Sequence, residues 1–107
     1  MGMFMRIPED VHDMSLDAVR AEISKVDTKI IQLIAQRQKL AGKIAQIKIE
    51  KGMPIHDQER TKNVLESVFE QAVEARIDPV AVQKIFEILI AMSEDRQHEY
   101  SGDGNLP

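Results

Sequence analysis

The chain has 107 residues, 43% of them hydrophobic and 30% charged, with a formal net charge of -4, which suits one soluble domain with a modest core. With three Phe, one Tyr and no Trp, that core must be aliphatic, and an acidic balance without interleaved aromatics argues against nucleic acid, which needs clustered positive charge. The absence of Cys removes disulfides, thiolate catalysis and cysteine metal sites and makes a cytoplasmic home the expectation.

Residues 1–14 carry Pro8 and mixed polar residues without a period, and they read as an extension, flexible or loosely docked. Met1 to Arg6 contains no apolar run of signal-peptide length, and Arg6 stands where a myristoylation pattern wants Ser or Thr. No stretch is long and apolar enough to be expected to span a membrane. Ser15 is a good N-cap with Asp17 in the first turn. From Leu16, apolar residues recur by threes and fours at Val19, Ile23, Val26, Ile30, Leu33, Leu40, Ile44 and Ile47, a heptad seam. The helix is expected to reach about Glu50, where Gly52 offers a left-handed C-terminal position and Pro54 forbids continuation. At 1.5 Å per residue it is roughly 50 Å long, with Gly42 as its one weak point.

The seam has one irregularity. Counting through the gap between Leu33 and Leu40 lands on Arg37, a guanidinium where an aliphatic side chain belongs. A buried Arg needs an anion, and no Asp or Glu lies on the seam from Ile30 to Ile47. For a lone Arg, an internal ion pair or a snorkelling side chain is the ordinary explanation. Lys48, however, follows eleven residues later, almost three whole turns, so it faces nearly the same way ~16 Å along the axis. The two side chains can bracket a small anion.

Asp57 can cap a second helix with Glu59 in its first turn. Val64, Leu65, Val68, Phe69, Ala72 and Val73 form its apolar face, ending near Arg76. Asp78-Pro79 reads as an N-cap followed by Pro at the first helical position. The third helix turns Val82, Ile85, Phe86, Leu89, Ile90 and Met92 to one side and runs to about Glu99, followed by a polar tail expected to be disordered. The second and third helices are each about half as long as the first. Folded back in turn, they leave roughly two or three heptads of seam bare. The simplest remedy is a second copy, with the two long helices antiparallel about a two-fold axis.

The stripe Val82, Phe86, Leu89 of the third helix continues to Ser93 and Gln97, two neutral hydrogen-bonding side chains where a helix end could equally be wetting out into solvent. Arg60 lies one turn from the Asp57 cap, and an exposed charge is its plain reading. Together, Arg37, Lys48, Arg60, Ser93 and Gln97 would make a cationic pocket in an aliphatic bundle, suited to a small, doubly anionic molecule with hydroxyl or ether oxygens. Arg20 lies ~25 Å from Arg37 along the same helix. It could reach such a pocket only from the partner of an antiparallel dimer.

The segments Leu16-Asp17-Ala18-Val19-Arg20, Val26-Asp27, Leu33-Ile34-Ala35-Gln36-Arg37, Lys48, Pro54-Ile55-His56-Asp57-Gln58-Glu59-Arg60, and Phe86 through Ser93 with Gln97 together resemble the all-α class of chorismate mutases, over residues 15 to 99. The resemblance implies an all-α fold of three helices, one long and two shorter, forming an intertwined antiparallel homodimeric helical bundle. The domain would span residues 15–100, between an extension of 1–14 and a tail of 101–107. It implies chorismate as substrate and no cofactor or metal. It also implies that Arg37 and the Arg20 position of the partner chain hold the substrate carboxylates with help from Ser93, and that Lys48 and Gln97 donate to the ether oxygen whose bond to carbon breaks. Asp57, through its backbone, and Arg60 would lie around the ring hydroxyl, with Ile44 and Ile90 as apolar walls. After Arg60, many family members carry Glu as an acceptor for that hydroxyl, whereas this chain has Thr61, shorter and uncharged, so that ring recognition can run through water or the helix terminus.

The chemistry suits these residues. Conversion of chorismate to prephenate is an intramolecular [3,3] rearrangement that needs a folded substrate and stabilised charge on the ether oxygen, with no nucleophile, metal or general base. His12 and His56 are therefore read as surface groups. Two other readings stand beside this one: an isochorismate-pyruvate lyase on the same fold, and a non-catalytic helical dimerisation module in which Arg37 forms an interchain ion pair.

Overall fold

Three capped helices organise residues 15–101, the part of the chain described by this computed structural model. They are α1, Leu16–Lys51; α2, Gln58–Glu74; and α3, Pro79–Ser101. Among the described residues there is no strand, and no helix is long and apolar enough to cross a membrane.

Each helix starts where its sequence provides an acceptor for an orphan amide. Ser15 Oγ accepts from the Ala18 N–H at 3.0 Å. Asp57, in extended conformation, accepts from the Arg60 N–H at 3.0 Å. Asp78 Oδ1 takes the N–H groups of Val80 and Ala81 at 3.0 and 3.3 Å, with Pro79 supplying the residue that has no N–H to satisfy.

The ends of α1 and α2 share one device. Gly52 has φ 64, so the Met53 N–H reaches back to Lys48 O at 2.8 Å and the Gly52 N–H to Ile49 O at 3.3 Å, the paired bonds of a Schellman motif. In α2 the same pair runs from Ile77 to Ala72 O at 3.0 Å and from Arg76 to Val73 O at 3.1 Å. There the left-handed residue is Arg76, with φ 60.

The chain divides within α1 into two units, Met1–Leu33 and Ile34–Pro107. In the described part of the first, every seam residue except Val19 is exposed, Leu16 to 64% and Leu33 to 63%. In the second, α2 packs against α3 across residues 75–78, and the buried apolar residues are small or β-branched: Ala41, Ala45, Val68 and Ala72. Leu40, Ile44 and Ile47 stay about half exposed. Gly42 has a packing reason for lacking a side chain. A Cβ there would stand 2.8 Å from Tyr100 Oη and 2.9 Å from its ring, so the helix position that looks weak in sequence admits the Tyr100 ring.

Some expectations shift. At 23 residues against 36, α3 is well over half the length of α1. It carries Tyr100 over Gly42 and includes Ser101, a residue the sequence places in the tail. Ile85 is exposed rather than inward, because the half-buried line follows Val82, Phe86, Leu89, Ile90 and Ser93, leaving residue 85 on its flank. The expectations for residues 1–14, including His12, and for residues 102–107 lie outside the described residues.

Candidate functional site

A cavity of about 410 Å³ opens between the C-terminal part of α1, the start of α2 and the second half of α3. Nine of the sequence-predicted residues line it: Arg37, Ile44, Lys48, Asp57, Arg60, Thr61, Ile90, Ser93 and Gln97. Arg20, exposed in the first unit, does not.

Helical spacing explains the convergence. Arg37, Ala41, Ile44 and Lys48 follow one another by threes and fours on α1, as do Ile90, Ser93 or Glu94, and Gln97 on α3 and Arg60 or Thr61 with Val64 on α2. Each helix thus offers one stripe to the cavity. The second stripe turns Ser93 and Gln97 inward rather than into solvent. Gln97 is only 6% exposed, the one polar residue that is buried among those described.

The polar groups hold one another. Arg37 Nη1 donates to Leu89 O at 2.9 Å and to Ser93 Oγ, which ties the guanidinium of α1 to α3. Burial pushes the Arg37 pKa down, and the positive charge of Arg60 adds to the effect; the group remains a cation at neutral pH. Among the described residues no carboxylate pairs with Arg37, Lys48 or Arg60. The anion that Arg37 calls for is not supplied by α2 or α3, and the ordinary explanation, an internal ion pair, fails there.

Lys48 Nζ donates to Ile55 O at 2.6 Å and to Gln97 Oε1 at 3.0 Å. An ammonium has three donors, so one is left for a ligand. The same contact orients Gln97. With Oε1 taken by Lys48, its Nε2 is the free end of the amide. Lys48 and Gln97 both line the cavity, and each keeps a donor without a partner among the described residues, the kind of group that suits an oxygen gaining negative charge. Asp57 serves the helix, its Oδ1 accepting the Arg60 amide.

The cavity includes five residues that sequence reasoning did not select: Leu40, Ala41, Ile55, Val64 and Glu94. Four are apolar walls or, for Ile55, a carbonyl anchor. Glu94 is a carboxylate, paired with His56 Nδ1 at 3.0 Å. Its position four after Ile90 and three before Gln97 was the available signal. His56 is exposed, as expected of a surface group, but it has this partner.

Residues 19–98 match the family of type II chorismate mutases, a span that contains every residue of the cavity. The chain is 38% identical over 85 residues to the chorismate mutase of Methanocaldococcus jannaschii, covering 79% of this chain and 86% of that protein. It is 33% identical over 91 residues to the bifunctional chorismate mutase/prephenate dehydratase of Buchnera aphidicola subsp. Schizaphis graminum, 81% of this chain but 24% of that longer protein. With the corresponding bifunctional protein of Escherichia coli K12 it shares 27% over 73 residues, 68% of this chain and 19% of the other. A chain whose described residues form three helices, and whose match runs through all three and includes Lys48 and Gln97, belongs to the type II chorismate mutase family.

Proposed function

We propose that this protein rearranges chorismate to prephenate, as a cytoplasmic step of phenylalanine and tyrosine synthesis, with a site made from two copies of the chain. The observation that carries the reading is the Lys48–Gln97 contact, which leaves one ammonium donor and one amide donor unpaired on two residues that line the cavity.

The reaction breaks the ether C–O bond while a new C–C bond forms within one molecule, so the protein has two tasks. The first is to hold the extended dianion in its folded, reactive conformer. Arg37, desolvated and without a carboxylate partner among the described residues, binds one carboxylate with Ser93 beside it, and Arg20 of the second copy binds the other. Such positioning can supply several kcal/mol of the barrier. The second task is to stabilise the ether oxygen as it becomes negative. Lys48 and Gln97 Nε2 strengthen their bonds at that moment, a contribution of ~3 kcal/mol for a well-placed donor. Ile44 and Ile90 wall the ring, while Asp57, Arg60 and Thr61 stand at the start of α2.

The homodimer is supported by the exposed seam of α1. Leucines and isoleucines at heptad spacing along a helix form an apolar stripe that a second antiparallel copy would cover.

The test is to incubate the purified protein with chorismate and identify the product, with Lys48→Ala in parallel. Prephenate is expected, with kcat reduced about 10²–10³-fold in the variant and the dimer intact. Salicylate and pyruvate from isochorismate, with chorismate untouched, would instead make the protein a lyase. Inactivity on both would leave a dimerisation module.

A further inference from the structure

We infer that Glu94, held by His56, accepts the hydrogen bond of the substrate's ring hydroxyl; the inference rests on chorismate being the substrate. Glu94 projects from α3 between the turns that carry Ile90 and Gln97, and its side chain is 27% exposed. Its Oε2 meets His56 Nδ1 at 3.0 Å. Because a carboxylate can only accept, His56 donates here, and Glu94 Oε1 has no partner among the described residues.

A carboxylate in a site for a dianion needs a reason. Removing it would raise the positive potential that draws the substrate in, so its presence opposes binding unless it meets a donor. Chorismate at neutral pH offers one hydrogen-bond donor, the ring hydroxyl. The other acceptors of the cavity are less suitable. Asp57 Oδ1 is committed to the Arg60 amide, Ile55 O to Lys48, and Ser93 Oγ to Arg37. Thr61 has a neutral hydroxyl on a short stem. Asp57 Oδ2 is free as well among the described residues, but that carboxylate sits on a stem one carbon shorter and is held at the α2 cap through Oδ1. Glu94 is the charged acceptor with a free oxygen that does not cap a helix, and a bond to a charged acceptor is roughly twice as strong as one to a neutral group. His56, one residue before the α2 cap, keeps the carboxylate from swinging toward the cations Arg60 and Lys48. It is a positioning residue.

The experiment compares chorismate with its ring O-methyl ether in wild type, Glu94→Ala and the double variant Glu94→Ala/Thr61→Glu, with thermal unfolding as the control for folding. Wild type is expected to prefer chorismate. Glu94→Ala is expected to raise KM for chorismate about tenfold or more, with a smaller change in kcat and with most of the preference over the ether lost. Glu at position 61, which also lines the cavity, is expected to restore part of that preference. Equal or tighter chorismate binding by folded Glu94→Ala, with the preference intact, overturns the assignment while leaving the mutase reading standing. Failure of wild type to make prephenate overturns the mutase reading first, and this inference with it.

Discussion

Arg37 sits half-buried with a carbonyl and a hydroxyl as its neutral partners, an arrangement that costs the folded chain desolvation without returning a Coulombic gain. The sign of the pKa shift says the same. A cation whose pKa is lowered on folding is less favourable in the folded state at every pH below that lowered value, so no loss of stability between pH 5 and 9 is expected from its titration. Arg37→Met should therefore hold or raise stability in denaturant titrations, by at most ~1 kcal/mol because the guanidinium keeps part of its hydration. Added chorismate is expected to stabilise wild type, and the same variant should lose that stabilisation. A clear destabilisation in the absence of ligand would mean that the Arg37 bonds to α3 are structural. Ser93 and Gln97 belong to the same scale. Their register on α3 could be read in the sequence, but that the oxygen end of the Gln97 amide meets Lys48 could not, because an amide orientation depends on its partners in space.

At the scale of the element, the caps were legible. Ser15, Asp57 and Asp78-Pro79 start the helices, and Gly52 ends α1, because each acts through backbone amides within three residues. The end of α2 was legible only in place, near Arg76, and not in kind. Nothing local makes Arg a left-handed residue, yet its φ is 60, and the two bonds of the Schellman motif hold it there. Arg76→Gly should remove strain of about 1 kcal/mol, read as a higher denaturation midpoint with unchanged activity, since Arg76 is not in the cavity. A lower midpoint would show that the Arg76 side chain contributes contacts that outweigh the backbone term. Tyr100 is the converse case. Its packing over Gly42 joins residues 58 apart in sequence, and no local rule anticipates it.

For the whole molecule, the proposed composite site makes a quantitative prediction. Arg20→Ala and Lys48→Ala chains should each be inactive alone. Mixed, unfolded and refolded together, half of the dimers would be hybrids. In each hybrid one site would hold both mutations and the other would hold neither. Activity of about one quarter of wild type is then expected from equal amounts of the two chains. No recovery, with hybrids demonstrated by mass, would place Arg20 outside the site. Charge introduced on the seam, as in Ile30→Lys, should lower dimer mass and turnover together, since it puts an ammonium on the apolar stripe that the second copy would cover.

The sequence by itself determined the three helices, their caps and the stripes that carry Arg37, Lys48, Ser93 and Gln97, because helical period and capping are local and recur every three or four residues. It also carried the family, through the joint spacing of those residues. Only the tertiary structure decided that these stripes close on one cavity, that Gln97 is buried with its Oε1 on Lys48, and that Glu94 and His56 form a pair at its edge. The reason is physical. Contacts between helices depend on how far each is rotated and displaced against its neighbour, as at buried Gly42, where the lack of a side chain admits the Tyr100 ring.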